Sequence, residues 1–557
     1  MEGSIVLIFF PALLLILICK GMIEKKKKED KLRKKFEENF GKANTRVLKD
    51  EELERISHYC KDRMTEDSID ELTWNDLDMN LIYEQMAYTR TSPGDDYLYY
   101  LLRNPVKDES VLIDREKKIT YISENPEPRI KLQVLLAQLG KIRDYSLADY
   151  LKYLMQEEAR SNIKHYLADG LIVIAVFLIG YDIGLGWVTF FLLILYNIVT
   201  YFKDKAYLEP YLISLRYLFE LKDYAKEMMD ILPEEWEEEK AQLQKILLSM
   251  KKTEKNSFLV MSPGRMAGEG FELILDYLRM CLHLDIIKFN RMLLQLQQYE
   301  EELWNLYRIM GEIDACIAIA EYRAFLPQTV CPKFEQKKKI DINAMYHPLI
   351  ENAVSNSLDM KRNILLTGSN ASGKSTFLRT LGINILLAQT IHTCMAKECK
   401  LPFCKLYTSM SLKDSLSLKE SYYMAEIRAI KRIMDASGKE EMIVCMVDEV
   451  LRGTNTVERI AASTQILRGM SGGNIMCLAA THDVELTRIL EKEYDNYHFE
   501  ESMVKGDVQF SYKLKPGRAD SSNAIDLLAN LGYDDTLIDK ARKMVTYFEE
   551  KGEWICG

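Results

Sequence analysis

The stretch Asn363-Ile364-Leu365-Leu366-Thr367-Gly368-Ser369-Asn370-Ala371-Ser372-Gly373-Lys374-Ser375-Thr376 decides how this chain is read. Its first four residues are an apolar strand candidate. The motif that follows spells Gly-x-x-x-x-Gly-Lys-Ser, and Phe377-Leu378-Arg379-Thr380-Leu381 then opens a helical pattern. Strand, loop and helix in that order are the context that a phosphate-cradling loop requires. Gly368, Ser369, Asn370, Ala371, Ser372, Gly373 and Thr376 offer backbone N–H groups to phosphate oxygens, and the helix N-terminus adds partial positive charge. Lys374 is placed to reach the β- and γ-phosphates, and the Ser375 hydroxyl to bind Mg2+. The stretch implies that a nucleoside triphosphate is bound.

Downstream, 442–449 is an apolar run ending in two carboxylates. Asp448, at its tip, is placed to hold Mg2+, directly or through water, and Glu449 to polarise an attacking water. The next apolar run, 475–480, leads into Thr481-His482-Asp483, where His482 can contact the γ-phosphate side. From 340 onward, strand candidates at 364–367, 442–447 and 475–480 alternate with helical stretches. That pattern predicts a C-terminal α/β domain with a mostly parallel sheet covered by helices.

A chain of 557 residues is too long for one hydrophobic core. The net charge of −10 argues against a protein that coats nucleic acid by bulk electrostatics, while leaving room for a local basic surface. Eleven cysteines without a paired framework fit a reducing compartment. His392, Cys394, Cys399 and Cys404 lie close together, but at spacings unlike zinc ribbons, and buried free thiols are the plainer reading.

Two regions are apolar enough to suggest a bilayer. Residues 5–19 are almost purely apolar and are followed by Lys20 and Lys25-Lys26-Lys27-Lys28, a pattern that predicts an uncleaved anchor over 1–22 with its C-terminal side in the cytoplasm. Residues 167–202 form two apolar halves broken near Gly180-Tyr181-Asp182, with Lys164 before and Lys203 and Lys205 after. Both ends therefore face the cytoplasm, giving a transmembrane hairpin. A buried helical pair or a re-entrant loop is the alternative, since Asp169 and Asp182 sit near its edges. The expected organisation is an anchor at 1–22, a charged helical stalk at 23–70, an all-α core at 71–335 containing the hairpin, and the nucleotide-binding domain at 340–557. The expected location is the cell membrane, multi-pass, with the ATPase domain cytoplasmic.

From His347-Pro348 to Ala529 the chain resembles the ATPase domain of the MutS family, the ABC-type ATPases of DNA mismatch repair. The resemblance rests on the phosphate loop, Ala388-Gln389, Asp448-Glu449-Val450-Leu451-Arg452-Gly453-Thr454-Asn455-Thr456, Ala480-Thr481-His482 and Tyr512-Lys513-Leu514-Lys515-Pro516-Gly517. It implies ATP as the nucleotide and a composite site in which two ATPase domains, in a homodimer, sandwich it. The opposing signature serine would be Ser421, with Lys419 standing where the family usually has glycine, and His347 would lie near the adenine base. More loosely, Thr89-Arg90-Thr91-Ser92-Pro93-Gly94 through Leu101-Leu102-Arg103-Asn104-Pro105 is similar to the start of the family's lever helices. Gly311-Glu312-Ile313-Asp314-Ala315-Cys316 is similar to the last of them. The resemblance does not reach the upstream mismatch-reading domain. Phe36-Glu37-Glu38 matches its Phe-x-Glu wedge only formally and carries no weight.

Two readings of the output follow. The resemblance implies mismatched or branched DNA as the ligand of the lever, here tethered to a membrane. The apolar hairpin near the place where the family embraces DNA, together with the acidic charge, favours a membrane-tethered switch acting on a protein or lipid. Three apolar segments are few for a transporter pathway.

Overall fold

The computed structural model describes residues 2–158, 160–251, 276–369, 372–410, 422–437, 441–451, 455–504, 507–519, 525, 528–529, 532–552 and 554. The chain divides into two compact units. One comprises Met1–Met64, Tyr83–Leu101 and Arg115–Phe325; the other comprises Thr65–Ile82, Leu102–Asp114 and Leu326–Gly557.

In the first unit every regular element among the described residues is a helix. The helix Glu300–Phe325 is buried on nearly every face from Leu303 to Tyr322, as the central member of a bundle must be. Its Asp314, fully buried, accepts the backbone N–H groups of Arg90 and Thr91, each at 2.8 Å, and the Thr91 hydroxyl at 2.7 Å. The carboxylate thus satisfies donors just ahead of the helix Ser92–Arg103, whose own first-turn N–H groups need partners. The two stretches read from sequence as the start and the end of the lever helices therefore meet in one hydrogen-bonded cluster.

Around it, Arg90 pairs with Glu321 at 2.7 Å, and Arg46 grips Asp95 through two bonds of 2.7 and 2.8 Å, with Lys141 at 2.9 Å. Burial works to raise the Asp95 carboxyl, but Lys141 and Arg46 overturn it and leave that group below the usual carboxylate range. Phe36 is buried against Ile130 and Val134, a core role that leaves its ring unavailable as a wedge.

The helix Glu2–Asn39 runs unbroken through the first apolar stretch and the lysine run. The second apolar region is two helices, Ile163–Tyr181 and Ile183–Met229, turning at Asp182, whose side chain accepts the Leu185 N–H at 3.0 Å. The break falls where glycine and aspartate interrupt the apolar run. The second helix, however, continues far past Lys203, because the loss of hydropathy there is not a loss of helix propensity. Apolar side chains along the pair face outward: Val173 is 55% exposed, Phe177 76%, Leu192 61% and Val199 61%.

The second unit is built on two sheets. Strands β1 (Lys333–Phe334), β2 (Ile340–Met345), β3 (Asn356–Met360) and β5 (Glu398–Leu401) form one, in the order β1-β5-β2-β3. The other contains β4 (Asn363–Thr367), β6 (Lys405–Ser409), β7 (Ile443–Asp448), β8 (Ile475–Ala480), β9 (Tyr494–Val504) and β10 (Asp507–Pro516), in the order β10-β9-β4-β8-β7-β6. All of its pairings are parallel except β9 with β10. β4, β7 and β8 are buried at every residue, which is why they read as continuous apolar runs rather than alternating ones.

The edge strand β6 is covered by the segment Thr65–Ile82. The Thr408 N–H donates to the Thr73 hydroxyl at 3.3 Å, and the Asp76 carboxylate accepts the Thr408 hydroxyl at 2.7 Å and the Met410 N–H at 3.0 Å. Edge groups that would otherwise be open to another chain are thereby used. Cys394, Cys399 and Cys404 are buried, the Cys394 thiol lies 3.0 Å from the Cys399 sulfur, and burial pushes the Cys404 thiol up to about 12.

Asp314→Ala is expected to destabilise the helical unit by roughly 3–5 kcal/mol, because it strands several buried donors at once. Asp314→Asn, which keeps an acceptor oxygen, should cost clearly less. Denaturant unfolding followed by circular dichroism in detergent measures both; equal stabilities would deny the capping role.

Candidate functional site

β4, β7 and β8 deliver three loops to their common carboxyl edge, where ligands bind in sheets of this kind. After β4 the chain turns with Gly368 at φ +143° and Gly373 at φ +101°, both in the region that favours glycine. A Cβ on Gly368 would also meet the Ser372 Oγ at 2.7 Å. The helix Lys374–Ile391 starts immediately behind, so its N-terminus opens onto the loop. Lys374 is buried, and its ammonium donates to the carbonyls of Gly368 at 2.7 Å and Ser369 at 2.8 Å. The cation is thereby held at the loop mouth. Asn370, Ala371, Lys419 and Ser421 lie outside the described residues.

The Ser375 hydroxyl donates to Asp448 Oδ2 at 2.5 Å. A hydroxyl from the helix and a carboxylate from the β7 tip therefore converge as hard oxygen donors, the chemistry that suits Mg2+. Next to it, Glu449 has φ +61° and Leu451 also has φ +61°, so two side-chain-bearing residues stand in the left-handed region within one turn. The turn is held by the Glu449 N–H on Ala480 O at 2.9 Å and by the Leu451 N–H on Glu426 Oε1 at 2.7 Å.

Glu449 Oε1 lies 2.6 Å from His482 Nε2, and the Lys374 ammonium lies 3.4 Å from the same nitrogen. A carboxylate only accepts, so Nε2 carries the proton toward Glu449, and Lys374 is a charged neighbour rather than a donor into that nitrogen. The carboxylate and the ammonium thus meet at one imidazole nitrogen at the strand edge. Arg459, on the helix Thr456–Met470, grips Asp483 through two bonds of 3.0 and 2.6 Å.

On the other side of the phosphate loop is a cavity of about 610 Å³, whose lining includes His347, Asn356, Gly373, Thr376, Phe499 and Tyr512. It has an apolar wall in Phe499 and Phe377, packed edge to face, and an aromatic lid in Tyr512. Tyr512 has φ +52°, and its carbonyl accepts the Asn356 side-chain N–H at 2.9 Å. Burial first, and the Arg379 charge second, depress the His347 imidazole to about 4, so it is neutral at physiological pH. Its Nδ1 accepts the Leu349 N–H at 3.3 Å.

Among the described residues, the fold brings Lys374, Ser375, Asp448, Glu449 and His482 together and sets His347 in the cavity beside Gly373. Sequence reading missed Phe499, Asn356 and Arg459, and quoted Asp483 and Tyr512 without a role. The signals available were the aromatic of the Tyr512–Gly517 stretch and the unusual cation, Arg459, in the first turn of the helix after the acidic pair.

A phosphate loop, an acidic strand tip and a histidine behind the next strand, on this sheet order, define an ABC-type P-loop ATPase site. Residues 364–549 match the family model of MutS domain V, which is an ABC-type ATPase domain. The chain is similar to the DNA mismatch repair protein MutS of Thermus aquaticus, 31% identical over 250 residues, covering 44% of this chain and 30% of that protein. It is also similar to the MutS protein of Thermotoga maritima, 30% identical over 262 residues, covering 45% and 32%, and to that of Thermus thermophilus, 29% identical over 258 residues, covering 45% and 31%. The chain thus spans about a third of the length of the curated relatives it matches.

Lys374→Ala should abolish ATP hydrolysis. Glu449→Gln should lower kcat by about 10²-fold or more while ATP still binds, since it removes a proton acceptor without changing shape. Phosphate release and nucleotide binding by filtration measure the two; wild-type turnover in either variant contradicts the assigned site.

Proposed function

We propose that this protein is a membrane-tethered, ATP-driven conformational switch, with its ATPase domain in the cytoplasm and two copies closing on ATP through those domains. The observation that carries the membrane part is the outward apolar surface of the helices Ile163–Tyr181 and Ile183–Met229. Their apolar windows have mean hydropathies of 1.8 and 1.9, and only 22% and 11% of the respective windows are buried. Such a surface in water marks a membrane or partner contact. The first helix has 19 residues and is about 28 Å long, close to the ~30 Å of a hydrocarbon core. Lys164 pairs with Asp204 at 2.7 Å at one end, Asp182 caps the turn at the other, and Tyr181 and Trp187 flank that turn as interfacial aromatics do.

In the catalytic reading, ATP is the substrate and water the nucleophile. The base enters the cavity of His347, Phe499 and Tyr512, and the phosphates lie over the loop of Gly368 to Thr376. Lys374 exchanges its two carbonyl partners for phosphate oxygens and offsets their charge. Glu449 accepts hydrogen bonding from the attacking water, and His482 holds that carboxylate in place. Ser375 and Asp448 would hold Mg2+, which would supply charge neutralisation at the phosphates. Catalysis of this kind is positioning and electrostatics. Binding and release of ATP would then move the helical unit, the usual output of paired domains.

The ligand of that motion has two readings. The exposed hairpin favours a protein or lipid in the membrane. The similar proteins are DNA mismatch repair proteins, which favours mismatched or branched DNA, and for this chain that needs a local basic surface despite the net charge of −10.

In sealed vesicles with the ATPase domain facing outward, protease added outside should leave a protected fragment covering the hairpin, and cleavage between Leu171 and Leu195 would overturn its insertion. ATP turnover of the same vesicles should be unmoved by homoduplex, mismatched or branched DNA at physiological salt. Stimulation that survives that salt would decide for the DNA reading.

A further inference from the structure

The loop that carries His482 is tethered on both sides, and one tether is a side chain to which the ATPase reading gives no role. On the upstream side, the Thr481 N–H donates to Leu366 O of β4 at 2.9 Å, fixing the loop to the strand that feeds the phosphate loop. On the downstream side, Asp483 is held by Arg459, Nε to Oδ2 at 3.0 Å and Nη2 to Oδ1 at 2.6 Å. A planar guanidinium bound through two donors fixes both distance and angle, which a single ammonium cannot do. The pair is largely shielded, the Arg459 side chain being 24% exposed and that of Asp483 13%. Asp483 is further locked by its N–H on the Thr481 hydroxyl at 3.0 Å.

Arg459 is itself well anchored. Its N–H donates to Asn455 O at 2.8 Å, and the Asn455 side chain caps the helix Thr456–Met470 by accepting the Val457 N–H at 3.0 Å. Arg459, Asp483, His482, Thr481, Val450 and Glu449 line one cavity of about 140 Å³. The charged groups that bear on Arg459 are Asp483 first, then Glu449 and Glu485. The guanidinium therefore sits in the chamber behind the proposed general base, one residue away from the imidazole that contacts it.

We propose that Arg459 is a positioning residue for hydrolysis: its grip on Asp483 sets where His482 stands between Lys374 and Glu449. It couples the helix that follows the acidic turn to the loop that follows β8, so a shift of that helix moves the imidazole. The inference rests on the reading of His482 and Glu449 given above. It assigns Arg459 no contact with substrate.

The test is a double-mutant cycle on the full chain in detergent, with ATP turnover as readout. Arg459→Gln is expected to lower kcat about 10-fold and to leave the KM for ATP within about 2-fold, since the nucleotide-contacting groups are untouched. Arg459→Lys should recover only part of the loss. Asp483→Asn, which preserves shape, should show the same defect as Arg459→Gln and takes its place in the cycle if Arg459→Gln folds poorly; circular dichroism checks both. The decisive arm is the combination with His482→Ala. Because Arg459 acts through His482, adding Arg459→Gln to His482→Ala should cause no further loss. An equal further drop in that background overturns the proposal, as does a full-rate Arg459→Gln enzyme beside an impaired His482→Ala one. Wild-type turnover in His482→Ala overturns the site reading and this proposal with it.

Discussion

The parallel pairing of β4, β7 and β8 is the constraint on which the rest of the ATPase unit depends. Ile364 stands opposite Leu478, Leu365 opposite Ala479, and Asp448 opposite Ala480. That register places the phosphate loop, the acidic pair and the histidine loop at one edge, within hydrogen-bonding reach of each other. A one-residue slip would turn every side chain to the opposite face and separate Ser375 from Asp448. Burial on both faces makes the register costly to change. The strained turn at Glu449 and Leu451 is then tolerated because its N–H groups are tied to Ala480 and Glu426.

The helical unit uses a different device. Its central helix is packed so closely that the carboxylates inside it need partners from the protein. Asp314, Glu321 and Asp95 answer Arg90, Thr91, Arg46 and Lys141 rather than water. Such pairing contributes little net stability over an apolar core, but a broken member is expensive, so the arrangement favours a single packing.

Much of the ATPase core could be read directly from the residues. β4, β7 and β8 announce themselves as short apolar runs, and the glycine and acidic motifs sit at their ends. The partners that complete the site were illegible for a physical reason. Arg459 meets Asp483 across 24 positions, and Asn356 meets Tyr512 across 156 positions, distances over which no local periodicity speaks. Likewise Thr65–Ile82 carries no sign that Thr73 and Asp76 will cover β6, since that contact spans more than 330 positions. The hairpin shows the complementary failure. Hydropathy located its turn at Asp182 but stopped the second helix near Lys203, because apolar content reports the solvent a helix meets and not where its backbone ends.

That second helix has a mechanical consequence. From Ile183 to Met229 it is one helix of 47 residues with a contour of about 70 Å, and it continues through Pro210. Its exposed apolar half and its buried half share one backbone, with Pro210 near their boundary. A tilt of about ten degrees imposed at the Met229 end and carried along that length would sweep the Asp182 turn sideways by roughly 12 Å. The sweep at the turn scales with the length of the helix that carries it.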